Sequence, residues 1–115
     1  MAATEVPRSD WNRFFDRFTR LHNGAIVSVN VSGVLFGCQN AALDRPLRGI
    51  SADRGDVLID TDHLGHRVPS VRRVAIQSTA EGAVAALDLD AGDGTRTVVR
   101  FRSPVLDELL DPGVE

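Results

Sequence analysis

The residues most able to do chemistry sit between Asp60 and His66. Asp60, Asp62, His63 and His66 fall within seven positions, and imidazole with carboxylate is a donor set that suits zinc at about 2.0–2.2 Å. A structural zinc site needs four converging ligands. Here all four share one short connection, and a strand would splay alternate side chains to opposite faces. The remaining imidazole and thiol, His22 and Cys38, lie far away in sequence. The expectation is therefore a polar loop whose histidines bond backbone groups or a nearby carboxylate, with no metal and no cofactor.

Nucleophilic catalysis fares no better. A serine or cysteine nucleophile needs a neighbouring base held by a third group, and no glycine-serine-glycine elbow is present. Cys38 follows Gly37 in the apolar run Val34-Leu35-Phe36, which reads as an inert buried thiol. Gly92-Asp93-Gly94 reads as a turn and not a phosphate loop. Asp88 and Asp90 read as the solvent face of a strand opposite arginines, a surface charge ladder. No catalytic residue is assigned, and the chain reads as a non-enzyme. Arg48, Arg67, Arg72 and Arg73 form the one basic cluster, a candidate patch for RNA, an anion or an acidic partner surface.

The elements that must hold these residues follow from composition and periodicity. The chain has 115 residues, 43% apolar and 25% charged, which suits one soluble domain spanning 1–115. No segment approaches the ~18 apolar residues of a membrane span, and residues 1–8 carry no apolar signal core. With one cysteine and no export signal, the cytoplasm is the expected compartment. All thirteen basic residues are Arg, a bias expected of a GC-rich bacterial genome, the other reading being selection for guanidinium recognition of phosphate or carboxylate. Net charge is −3, whereas a dedicated nucleic-acid binder shows a basic excess.

Residues 1–8 read as a flexible tail. A helix is predicted over 9–23, with Ser9 as N-cap, Trp11, Phe14, Phe15, Phe18 and Leu21 on one stripe, and Gly24 as left-handed stop. Four of the six aromatic residues sit there, so the helix is expected to plug the core. Residues 24–103 read as sheet or barrel. Val27, Val29 and Val31 alternate in a first strand, and Val34 to Cys38 form a short apolar run. Gln39 to Ala42 reads as a loop. Leu43 to Ser51 is a strand broken at Pro46 by an edge or bulge. Val57-Leu58-Ile59 and Val71 to Ser78 follow. For the last hairpin, a three-residue Gly92-Asp93-Gly94 loop pairs Leu87 with Val99 and Asp90 with Arg96. That register keeps one face apolar and sets opposite charges on the other. Ser103-Pro104 opens a short C-terminal helix over 104–111.

The fold class expected is α+β: an N-terminal helix packed on a strongly bent antiparallel sheet or small β-barrel of five to seven strands. The expected core is Trp11, Phe14, Phe15, Phe18, Val27, Val29, Val57, Ile59, Val74, Ile76, Leu87, Leu89, Val99 and Phe101.

Taken in order, a helix ending in His22-Asn23-Gly24, then Leu47-Arg48-Gly49-Ile50-Ser51, Asp56-Val57-Leu58-Ile59, Asp62-His63 and Arg100-Phe101-Arg102 resembles a small bacterial family catalogued only as a domain of unknown function. The resemblance covers about residues 10–104 and implies no activity. The helix-then-bent-strands order is also similar to Sm-like barrels, closest from Val57 to Pro69, although no RNA-contact motif is recognisable. Two functions follow as expectations. The first is a non-enzymatic protein-binding or adaptor module, with an unknown protein partner or self-association and no membrane. The alternative is an Sm-like nucleic-acid module using Arg48, Arg67, Arg72 and Arg73.

Overall fold

The computed structural model describes residues 2–33, 37–62, 65–80 and 82–106. Strand β1 (Ala2–Val6) leads through a 3-10 turn at Arg8–Asp10 into helix α1 (Trp11–His22). Seven strands follow: β2 (Ile26–Gly33), β3 (Gly37–Asp53), β4 (Asp56–Thr61), β5 (Gly65–Val68), β6 (Val71–Ser78), β7 (Ala83–Ala91) and β8 (Arg96–Leu106). They form one open antiparallel sheet in the order β1-β6-β7-β8-β2-β3-β4-β5. The α+β class holds. The sheet has eight strands rather than five to seven, and its two ends, β1 and β5, do not close into a barrel.

The apolar stripe of α1 buries Trp11, Phe15 and Phe18 together with His22, at the spacing of one helix face. Phe18 stacks on Phe101 at 5.8 Å between centroids, and His22 lies 4.9 Å from the same ring. Phe14 and Ile76 are partly buried against this cluster, and the other expected core residues are fully buried. Asp10, not Ser9, occupies the N-cap, without a side-chain cap bond. At the other end Gly24 takes φ +90°, and its amide donates to the Leu47 carbonyl at 2.7 Å. The helix stop is thus tied directly to β3.

Three expectations about elements need correction. The supposed tail is β1, paired with β6 from Ala2↔Ser78 to Val6↔Val74. It is anchored where Val6 is buried and its carbonyl accepts the Trp11 indole N–H at 3.0 Å. The supposed loop at Gln39–Ala42 belongs to the 17-residue β3. Two irregularities bend this strand: register slips against β2 between Val27 and Asn30, and against β4 between Leu47 and Gly49. Asp44 stands at φ +50° beside the first, its amide donating to Ser28 Oγ at 3.0 Å. Pro46 sits next to that bulge, as a residue without an amide donor must. Thirdly, the expected helix at 104–111 starts inside β8, which continues to Leu106; residues 107–111 lie outside the described residues, as do Val34 to Phe36.

The turns match their chemistry. Arg54 and Gly55, at φ +52° and +89°, make the two-residue turn with both central residues left-handed that suits twisted strands. The β7–β8 loop is Gly92-Asp93-Gly94, with Ala91 N donating to Thr95 O at 2.8 Å. Leu87 pairs with Val99 and Asp90 with Arg96, the register that the charge pattern requires.

Candidate functional site

A groove of about 550 Å³ lies between α1 and the β3–β4–β5 wing. It is built from three separate stretches of chain. Asn12, Asp16 and Thr19 come from the helix side flanking its aromatic stripe; Arg48, Gly49 and Ser51 come from β3; Leu58, Asp60, Gly65, His66 and Arg67 come from β4 and β5. Strand register orders the floor into rows. Ser51 pairs with Leu58 and Leu58 with Arg67; Gly49 pairs with Asp60 and Asp60 with Gly65.

Gly49 allows the helix to lie close. A Cβ there would sit 3.1 Å from Thr19 Cγ2. The Thr19 hydroxyl accepts from the Ile50 amide and donates to the Ile50 carbonyl, both at 2.9 Å. At the helix end, Asn23 Nδ2 donates to the Arg48 carbonyl at 2.8 Å. The groove wall is therefore pinned to its floor by backbone-directed bonds.

The charges around it divide into closed and open. Arg67 pairs with Asp56 at 2.5 Å and lies 3.8 Å from Asp53. Asp56 also accepts the Ser70 amide at 2.9 Å. That amide and the Arg67 guanidinium hold the Asp56 carboxyl below its ordinary range. Asp16 faces Arg20 at 3.6 Å on the surface. Arg48 and Asp60 are both exposed, and neither makes an ion pair with any described residue. His66 is half-buried at the edge strand, and burial pushes its imidazole below the usual histidine range. It also borders a smaller hollow with Val31, Gln39, Asn40 and Ala41.

The sequence-derived candidates are thus divided. Arg48 and Arg67 line one groove, whereas Arg72 and Arg73 lie on β6. Arg73 is held by Glu5 at 3.1 Å and Asp90 at 3.5 Å, and the Glu5 carboxylate raises its guanidinium above the ordinary value. Arg72 is exposed beside the β7–β8 turn, where a Cβ on Gly92 would meet its Nε at 3.0 Å. Of the loop cluster, Asp60 and His66 line the groove, Asp62 makes two 3.0 Å bonds to Arg45, and His63 lies outside the described residues. Among the described residues no three His, Cys, Asp or Glu side chains converge as metal ligands.

Two readings are overturned. Cys38 is exposed rather than buried, because it stands among the exposed first residues of β3, Gly37 to Asn40. Asp88 is buried at 5% exposure although Asp90 beyond it is only partly so. Its cross-strand neighbours are Ala75 and Val98, and Gln77 and Arg96 close over it. Asp88 Oδ2 accepts from Gln77 Nε2 and from Arg96 Nη2, the latter at 2.7 Å, while Oδ1 is buried without a partner. The ladder Glu5–Arg73–Asp90–Arg96–Asp88 crosses the sheet face opposite α1.

Reasoning from sequence missed the groove itself. Its one signal was a pair of glycines within strand segments, a mark of close backbone approach. Among the described residues no helix is long and apolar enough to cross a membrane. Neither the curated proteins nor the solved structures contain a match to this chain. A family model described as "Family of unknown function (DUF5335)" matches residues 2–109, nearly the whole chain, and the protein belongs to that family.

Proposed function

We propose that this chain is a non-enzymatic binding module whose partner is a protein and whose working surface is the groove between α1 and β3–β5. One observation carries the reading: Arg48 and Asp60, of opposite sign, stand open in the same concavity while the charges around them are closed by the chain's own residues. Open opposite charges in a concave setting favour a partner that presents complementary groups. The groove volume falls within the range of ligand-binding clefts, about 300–1,000 Å³.

Two further points support this over its competitors. Nucleic-acid binding draws on cations free to neutralise phosphates, yet Arg67 and Arg73 are each engaged by two carboxylates. For catalysis, Ser51 and His66 fall in alternate register positions, opposite Leu58 and Ile59 respectively. Both line the same groove, yet among the described residues no hydrogen bond joins hydroxyl to imidazole, the contact that a nucleophile–base pair requires.

The test compares capture of partners from native cells by the tagged chain and by its Arg48→Glu, Asp60→Arg variant, beside electrophoretic shift with single-stranded RNA. The expected result is a defined protein set lost in the variant, with no RNA shift even at about 50 mM salt. An RNA shift that weakens steeply with salt, or capture indifferent to the groove variant, would overturn the reading.

A further inference from the structure

Asp60 is flanked on both neighbouring strands by glycine. Gly49 stands opposite it on β3 and Gly65 on β5. Neither paired position carries a side chain, and a Cβ at Gly65 would stand only 3.3 Å from Asp60 Oδ1. The nearest basic residue in the next row of the floor, Arg67, is turned to Asp56 and Asp53. The carboxylate is left open at the bottom of a trough, with the half-buried Leu58 beside it as an aliphatic surface.

An open carboxylate with a cleared approach and an apolar shelf matches one kind of group. A long basic side chain lays its methylene stem on apolar surface and delivers its charged end to an acid. A guanidinium can do so with two parallel N–H donors. Across the groove Asp16 adds a second, surface-paired carboxylate. Arg48 stands ready for a carbonyl or acidic group of the same segment.

We propose that Asp60, cradled by Gly49 and Gly65, is the docking point for an arginine or lysine side chain presented by an extended segment of the protein partner. This rests on the protein-binding reading above and names the chemistry the partner must carry. A segment is favoured over a free basic molecule because Arg48 and Asn12 line the same groove as Asp60, polar groups that a single basic side chain leaves unmet.

The test is a titration of the full isotope-labelled chain, followed by amide resonances, with the blocked tripeptide Ala-Arg-Ala. Ala-Asp-Ala and free arginine serve as comparisons. The arginine tripeptide should shift the Gly49, Asp60 and Gly65 amides saturably. Affinity should fall about tenfold in Asp60→Asn, as loss of one charge-assisted pair implies, and at least as much in Gly65→Val. Asp60→Asn preserves shape, so it keeps the test valid if Gly65→Val disturbs the fold. Equal affinity in Asp60→Asn, preference for Ala-Asp-Ala, or tighter binding of free arginine than of the tripeptide would overturn the proposal. Partner capture that still depends on the groove, with no response to the arginine tripeptide, would remove this inference alone. Capture independent of the groove, with the tripeptide still bound at Asp60, would remove the protein-partner reading instead.

Discussion

The two sides of α1 face very different surroundings. Its aromatic stripe meets the apolar face of β6, β7, β8 and β2, where Val74, Leu87, Leu89, Val99 and Phe101 are almost wholly buried. Its flank of Asn12, Asp16 and Thr19 meets the β3–β5 wing across a groove. The contrast extends to charge. Beneath the core wing, acids and arginines form a ladder that ends in a buried, hydrogen-bonded Asp88. In the groove Arg48 and Asp60 remain open. One helix thus separates a region whose charges are closed from one in which Arg48 and Asp60 stay exposed.

The comparison predicts unequal responses to mutation. Phe15 is 1% exposed, and Phe15→Ala should cost about 3–5 kcal/mol. Asp60→Asn in the groove should stay within about 0.5 kcal/mol. Denaturant unfolding of the two variants measures both, and similar costs would erase the distinction.

Within the ladder, Arg96→Ala leaves Asp88 without its cation and should cost about 1–3 kcal/mol. A double-mutant cycle with Asp88→Ala isolates the pair; no coupling would mean that Gln77 alone satisfies the carboxylate.

A smaller effect comes from His66. Its folded-state value lies below the ordinary 6.5 because burial disfavours the charged imidazole. The unfolded chain therefore binds the proton first. Stability is complete above about pH 6.5 and falls as pH drops through the lowered folded value. Thermal melts from pH 7.5 to 5.5 should show a shallower decline in His66→Gln than in the parent; parallel curves would remove His66 from the account. Smallest of all, the Asp16–Arg20 pair spans 3.6 Å with both side chains about seven-tenths exposed. Arg20→Ala should change stability by no more than about 0.5 kcal/mol.

The same contrast explains what could be read from the chain. The core wing was legible because burial writes periodicity: the stripe from Trp11 to Phe18 and the alternation around Leu87 and Val99 each allow one packing. The register of the last hairpin followed because a one-residue slip would put Leu87 against Arg100 and mix the faces. Strand β1 was not legible, since Ala3, Thr4 and Glu5 are exposed and Val6 is buried. The start of β3 failed for the same reason: Gly37 to Asn40 are all exposed, and the bulge at Asp44 breaks what alternation remains. Burial of Asp88 depends on Gln77 reaching over from β6, which no local pattern records. The groove joins residues of ordinary type from α1, β3, β4 and β5. Of these, the arginine cluster picked out only Arg48 and Arg67, and the loop cluster only Asp60 and His66.

The most direct question about this molecule is whether the groove meets a protein. A photo-crosslinking residue placed at Ser51, on the groove floor, can be compared in native cells with one at Asn30. Asn30 pairs with Val98 and so lies on the sheet face opposite α1. A protein-binding groove should give discrete protein adducts from Ser51, abolished by Asp60→Arg, and none from Asn30. Adducts confined to Asn30, or Ser51 adducts that persist unchanged in Asp60→Arg, would contradict that reading.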